Sequence, residues 1–478
     1  MHRDGESVCF EALETRLALT GEGFKFESVY PEGYVSANVN EYVPITNYND
    51  QDASWELLAR YESGERDQVI ASGVLPANAR GGVTISDILF PEQVLVRTDV
   101  PFALILRSTL PLAATSSHYD FGSSLGESFT AARDTFWTFS DGQKDPFIRD
   151  YFLVYNPQET TTTATLTLYY EDGSTYTNTK LVEGLRRSGW SIADLPAPTG
   201  AFSASITANA EVVAAHSHYD LRQGRGYGEI GSPGGGTLAG AIGSIDYDGN
   251  FYEVNGDDAG GARFEAQSYV TILNTGNTDA SVTLYFILDE AGDPPPVTRT
   301  INAEPGRTTF RVDDLDLQIG DEIGLVFESD RPVTVGGSVY QGRDATGQVA
   351  TSVAATDWVF GEGYMDRTFA GSGLLENLYI FNPDDTSVEA TIEIFFSEGT
   401  TVTLVRGVDD REFEDVVINN LDEIINRPNA TNWYGFRVTA PAPIVVTFEH
   451  WDGGLGGGFQ TPFMPVNGIV PLSDVLTL

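Results

Sequence analysis

The sequence predicts an all-β chain of four tandem immunoglobulin-like β-sandwich domains. Three observations carry this. First, a strand-like run ending in asparagine recurs: Tyr42-Val-Pro-Ile-Thr-Asn47, Tyr151-Phe-Leu-Val-Tyr-Asn156, Tyr269-Val-Thr-Ile-Leu-Asn274 and Leu378-Tyr-Ile-Phe-Asn382, with the asparagines 109, 118 and 108 residues apart. Second, each copy closes on a related segment: Ser117-His118-Tyr119-Asp120, Ser217-His218-Tyr219-Asp220, Ser338-Val339-Tyr340-Gln341 and Glu449-His450-Trp451-Asp452. A period this long is a whole domain, since solenoid repeats run about 20–50 residues. Third, short alternating polar and apolar runs are separated by turn residues, and long helical periodicity is missing. That is the pattern of half-buried strands in a sandwich.

The repeat places domains at 24–130, 131–237, 238–355 and 356–478, after a short segment at 1–23. In the fourth, strands are expected at 375–381, 388–396, 401–405, 434–438 and 444–448, with Ala440-Pro441-Ala442-Pro443 breaking the last two apart. Proline has no amide proton for a central ladder. The second repeat follows the same order at 163–170, 203–208 and 212–215, and the third at 281–288, 308–312, 323–327 and 333–337. Asn156-Pro157 and Asn382-Pro383 read as Asx turns, in which the side-chain amide bonds nearby backbone while proline fixes φ. The recurring asparagine is therefore structural. The terminal stretch 467–478 either completes the fourth sandwich or offers a strand to another subunit. Strand order does not follow from the pattern. The whole reads as a row of self-contained units.

Lys+Arg total 27 against 69 Asp+Glu, a net charge of −42. Binding phosphates requires clustered Lys and Arg, so nucleic acid and anionic membrane surfaces are excluded as partners. Such self-repulsion is relieved by salt or by divalent cations held on carboxylates. The lone cysteine, Cys9, rules out disulfides within the repeats. No apolar run of the roughly 18 residues needed to span a bilayer occurs, so no transmembrane segment is expected, and the start lacks the apolar stretch of a standard secretory signal.

Two resemblances follow from particular residues. Leu13, Glu14, Arg16 and Leu19 match a segment that resembles the LEPR-x-LL sorting signal of planctomycete surface proteins, with Thr15 where proline is usual and Ala18 where the first leucine of the pair belongs. The opening Trp358-Val-Phe-Gly-Glu362-Gly363, echoed by Val29-Tyr-Pro-Glu32-Gly33 and Trp137-Thr-Phe-Ser-Asp141-Gly142, is similar to the W-x-F-x-E-G-type opening of a tandem β-sandwich repeat of bacterial secreted and surface proteins. The third copy, Ile245-Asp-Tyr-Asp248-Gly249, keeps only the acid-glycine pair. The resemblance implies an extracellular, non-catalytic module at the cell surface.

The candidate chemistry is sparse. Ser117-His118-Asp120 is no triad, because adjacent strand residues point to opposite faces and triad members converge from separate parts of a fold. The histidines His118, His218 and His450 are read as packed at strand ends, with a shared metal at His216 and His218 as the alternative for that pair. Asp246, Asp248 and Asn250, with Asp257 at the twelfth position, resemble a calcium loop, although Phe251 stands where glycine belongs and Asp257 where glutamate belongs. Ca²⁺ is the only cofactor the sequence points to. The glycine runs 231–236 and 453–458 lack the Lys-Ser/Thr of a phosphate loop and read as crossovers or close backbone contacts. The expectation is a non-catalytic structural protein of the bacterial cell surface that assembles with copies of itself, or with envelope or matrix components, into a surface layer, sheath or fibre. The alternative is an adhesin or glycan binder.

Overall fold

The alternating runs form strands that pair antiparallel throughout. The structure, a computed structural model, describes residues 23–478 apart from 63, 65, 91–92, 246–266, 289–294, 313–322, 342–343, 367–373, 429–430, 453–457 and 478. The sorting-like matches at 13–19 and all of Asp246, Asp248, Asn250 and Asp257 lie outside the described residues.

The first sandwich is built from β1 (Phe26–Tyr30), β2 (Asn40–Asn47), β3 (Ala53–Tyr61), β4 (Gln68–Leu75), β5 (Ala79–Ser86), β6 (Phe102–Ser108), β7 (Ala113–Asp120) and β8 (Ser123–Ser128). One sheet has the order β1-β6-β3-β4 and the other β5-β2-β7-β8. Apolar side chains of both sheets, including Ile45, Leu57, Tyr61, Phe102 and Leu104, fill the space between them. The other sandwiches repeat this plan with one change. Where Pro111 separates β6 from β7, each later copy has a single long strand: Gly200–Asp220, Ile323–Gln341 or Thr431–Asp452. Each of these pairs in both sheets of its sandwich. The expected break at 440–443 is therefore corrected. Pro441 and Pro443 sit at the corner where the strand changes sheets, and the ladder to Val353–Phe360 shifts register between Ala355 and Asp357 there. A corner needs no continuous hydrogen-bond ladder, so proline costs nothing at it.

The W-x-F opening is explained by alternation. Trp137 and Phe139 point into the second core, as Trp358 and Phe360 do into the fourth. Both indoles donate to the corner of the long strand, Trp137 Nε1 to Val212 O (3.0 Å) and Trp358 Nε1 to Ile444 O (2.9 Å). The recurring asparagines also behave as read. Asn156 Nδ2 donates to the carbonyls of Thr160 (2.8 Å), Val182 (3.0 Å) and Glu183 (3.2 Å), while its Oδ1 accepts from the Gln158 amide (3.0 Å). Asn47 and Asn382 make the same bonds in their copies, and Asn274 makes those to Thr278 O, Ala303 O and the Gly276 amide. Replacing Asn156 with alanine strands these buried groups, and an unpaired one costs about 1–3 kcal/mol. A loss of about 1–2 kcal/mol in denaturant unfolding is expected; a change under about 0.5 kcal/mol would refute the turn's role.

The four units are not a row. The closing strands β8, Arg225–Ile230, Asp344–Val349 and Gly458–Pro462 pack first against second, second against third, third against fourth and fourth against first. The chain closes into a ring around these strands. Their contacts interlock. A side chain at Gly126 would collide with the Phe459 ring, one at Gly347 with Tyr227, and one at Gly228 would touch Tyr30 and Leu125. Each large residue thus fills the space left by a glycine on the next sandwich. The terminal stretch is settled as well: Met464–Asn467 and Val470–Pro471 pair with Val353–Phe360, and Leu472 is buried at the joint between the third and fourth sandwiches.

Candidate functional site

The polar residues of the repeat converge on the joints. In β2 and β7, Glu41 lies directly across from His118 and Tyr42 from Ser117. Because neighbours alternate in direction, His118 turns to Glu41 (3.5 Å) while Ser117 turns out and donates to Glu362 of the fourth sandwich (2.6 Å). The second copy repeats this with Asp150 across from His218 and Tyr151 across from Ser217. Ser217 donates to Glu32 of the first sandwich, and Ser338 to Asp141 of the second (2.9 Å). The serine of each closing motif is therefore bonded to the acid of the preceding unit's opening motif. The bond from Ser117 to Glu362 joins the first unit to the last. At the remaining joint the types are exchanged: Glu449 occupies the serine position across from Asn377, and Ser244, two residues after the core residue Ile242 as Asp141 is after Phe139, takes the acid position that the sequence pattern assigns to Asp248; Glu449 and Ser244 are both buried.

Further contacts hold each joint. Val29, Leu58 and Ile105 pack on Tyr155 and Val213 between the first and second sandwiches. Tyr48 and Ala113 pack on Val359 and Phe395 between the first and fourth. Between the second and third, Arg307 is buried against Asp141 (2.9 Å) and donates to Phe202 O (2.6 Å), and the Thr138 and Thr334 hydroxyls bond each other across the same joint (2.6 Å).

All four described histidines, His118, His216, His218 and His450, are buried, as the strand-end reading expects. What that reading lacked was their partners. Asp150 accepts from His218 Nδ1 (2.6 Å) and lies 3.4 Å from His216 Nε2, while His216 Nδ1 lies 3.2 Å from Glu229. His450 pairs with Glu376 (3.2 Å). Burial draws the His216 imidazolium down, but Asp150 and Glu229 outweigh it and hold the group up at about 10. Burial raises Asp150, yet the His218 and His216 charges hold its carboxyl well below the usual carboxylate range. A signal for these partners was present in the sequence: Glu41, Asp150 and Glu376 each stand six residues before the recurring asparagine. In the third sandwich the pair is Ser268 and Val339, so no ion pair forms there. Among the described residues, Asp150, His216 and His218 form the one group whose metal-ligating atoms lie within 4.8 Å of one another.

Two joints carry equivalent clefts. The larger, about 460 Å³, lies between the first and second sandwiches and is lined by Glu32, His118, Phe121, Tyr151, Arg187 and Tyr219. The smaller, about 300 Å³, lies between the second and third and is lined by Asp141, His218, Arg225, Tyr269, Arg307 and Tyr340.

No protein-family profile matches the chain, and no curated protein matches it. Among solved structures, the chain is similar to a Thermotoga maritima protein described as Thermotoga maritima 1070, with 18% identity, a TM-score of 0.21, 24% of this chain covered and 97% of that one. It is also similar to a tetra-tandem repeat in the extending region of a large adhesion protein, with 12% identity, a TM-score of 0.11, and 91% and 97% covered. The FN1–FN3 domains of chicken CNTN1 match at 9% identity and a TM-score of 0.10, with 70% and 97% covered. None of these likenesses bears on function. Among the described residues no helix is long and apolar enough to cross a membrane.

Proposed function

We propose that the protein is a non-catalytic structural unit of the bacterial cell surface that assembles with copies of itself into a layer, sheath or fibre. The observation that carries this reading is where the repeat's polar residues are used. The serines, histidines and acids of the recurring motifs are buried and bonded across strands and joints, so the motifs build a ring. Assembly is supported by the sheet edges. One sheet of each sandwich ends on an edge strand, β4, Thr175–Val182, Val297–Ala303 and Thr401–Val408. Three of these strands carry exposed apolar residues: Val69 and Val74 on β4, Leu181 on Thr175–Val182 and Val405 on Thr401–Val408. An unpaired edge is a template for pairing with another chain. The net charge of −42 opposes such contact until it is screened, so salt or Ca²⁺ is expected to promote it.

The adhesin reading is favoured by one observation, the aromatic lining of the larger cleft, where Tyr34, Phe121 and Tyr151 surround Glu32 and Lys180. Negative-stain microscopy and light scattering with and without Ca²⁺ separate the two. Ordered sheets or filaments are expected. Persistent monomers that bind a glycan array would replace the structural reading with the adhesin one.

A further inference from the structure

We propose that the second sandwich holds a divalent transition metal of zinc's kind on Asp150 Oδ1, His216 Nε2 and His218 Nδ1. These residues come from two adjacent strands, Ile148–Tyr155 and Gly200–Asp220. Asp150 and His218 are direct cross-strand partners, and His216 lies two residues along the same strand, on the same face. Imidazole nitrogens and a carboxylate are the donors that Zn²⁺ and its neighbours accept, the metal displacing the proton that His216 Nε2 otherwise presents to Asp150. With bonds of about 2.0–2.1 Å, tetrahedral ligands stand about 3.3 Å apart. Asp150 Oδ1 and His216 Nε2 are 3.4 Å apart, and His218 Nδ1, at 2.6 Å from Asp150, needs only a small outward shift. Metal-bound histidines characteristically donate their second N–H to a carboxylate. Glu229 is placed for that role at His216 Nδ1 (3.2 Å).

Comparison between the sandwiches shows that structure alone does not call for this set. The first and fourth copies keep one carboxylate and one histidine, Glu41 with His118 and Glu376 with His450. The position of His216 is taken by Ser116 in the first, Gly337 in the third and Phe448 in the fourth. A single ion pair suffices at this place in the first and fourth sandwiches, and the third has none, with Ser268 across from Val339. The second histidine occurs only in the second sandwich; the carboxylate that faces it, Glu229, has a counterpart in Glu127 of the first, which stands across from Ser116. His218 also lines the cleft between the second and third sandwiches, which offers an entry path and room for a water as fourth ligand.

The test uses the full chain, stripped with chelator and then dialysed against Zn²⁺ with Ca²⁺ in excess, so that oxygen-only sites are filled by calcium. One tightly held zinc per chain is expected by elemental analysis. Co²⁺ in its place should show the visible d–d absorption of a low-coordinate N/O site. H216Q and D150N are expected to weaken Zn²⁺ binding at least tenfold, while H118Q keeps wild-type stoichiometry. Should the variants fail to fold, the Co²⁺ spectrum of the wild-type protein decides alone. Zinc lost on dialysis with a featureless Co²⁺ spectrum, or equal retention by H216Q, would overturn the site and leave a buried hydrogen-bonded His-Asp-His group only.

Discussion

Gly126→Val is expected to open the ring while leaving the four sandwiches folded. Gly126 lies on β8, and a Cβ there would occupy the space of the Phe459 ring, which is itself 1% exposed and packed against Phe448 and His450. The ring cannot withdraw into its own sandwich, because that core is filled. Overpacking a filled site costs typically 1–3 kcal/mol, and this position should reach or exceed the upper end, since both sides of the contact are backbone-anchored strands. The cost falls on the one joint that no short linker holds, between the first and fourth units. Small-angle scattering should therefore show a larger radius of gyration, with far-ultraviolet circular dichroism unchanged. A variant that scatters like the wild type and melts within a degree or two of it would show that ring closure contributes little to the native state.

Glu127→Gln is expected to change how stability depends on pH. Glu127 is buried near the axis of the ring, where it accepts from the Thr461 hydroxyl of the fourth sandwich and from the Ile230 amide of the second (3.1 Å). It also accepts from the Ser128 amide (2.7 Å). Burial pushes its carboxyl up to about 8; these hydrogen bonds favour ionisation but do not compensate, and Glu229 raises it further. The native state therefore binds this proton more tightly than the unfolded chain does. Its stabilising effect is complete below about pH 4.5 and is lost as pH rises toward 8. The loss amounts to a few kcal/mol, since each pKa unit is about 1.4 kcal/mol. Glutamine keeps a carbonyl acceptor and carries no charge. The variant should match the wild type near pH 5 and melt higher near pH 9. An equal difference between the two proteins at both values would mean that Glu127 does not ionise in this range.

The turns and cores were legible because their causes are local. The donors of Asn156 and Asn382 act on carbonyls of the same repeat, and the alternation of Thr162–Tyr170 and Val388–Phe396 reports which face is buried. The partners of the histidines were only half legible. His218 was visible as a motif residue, but Asp150 lies 68 residues away and meets it only when the two strands pair. The serines were misleading when read locally. Ser117 stands beside His118 in sequence, yet its bond is made 245 residues away, in another sandwich.

By itself, the sequence determined that this protein is a fourfold repetition of β-sandwiches, where their turns lie, and that its surface is strongly acidic. Periodicity and turn chemistry depend on residues near one another in the chain, so they can be read from it. The tertiary structure alone decided that the sandwiches close into a ring, that Pro441 and Pro443 turn a corner instead of ending a strand, and that Asp150, His216 and His218 meet. Those outcomes depend on which surfaces become neighbours after folding. A glycine facing a phenylalanine from the far end of the chain leaves no periodic trace in either segment.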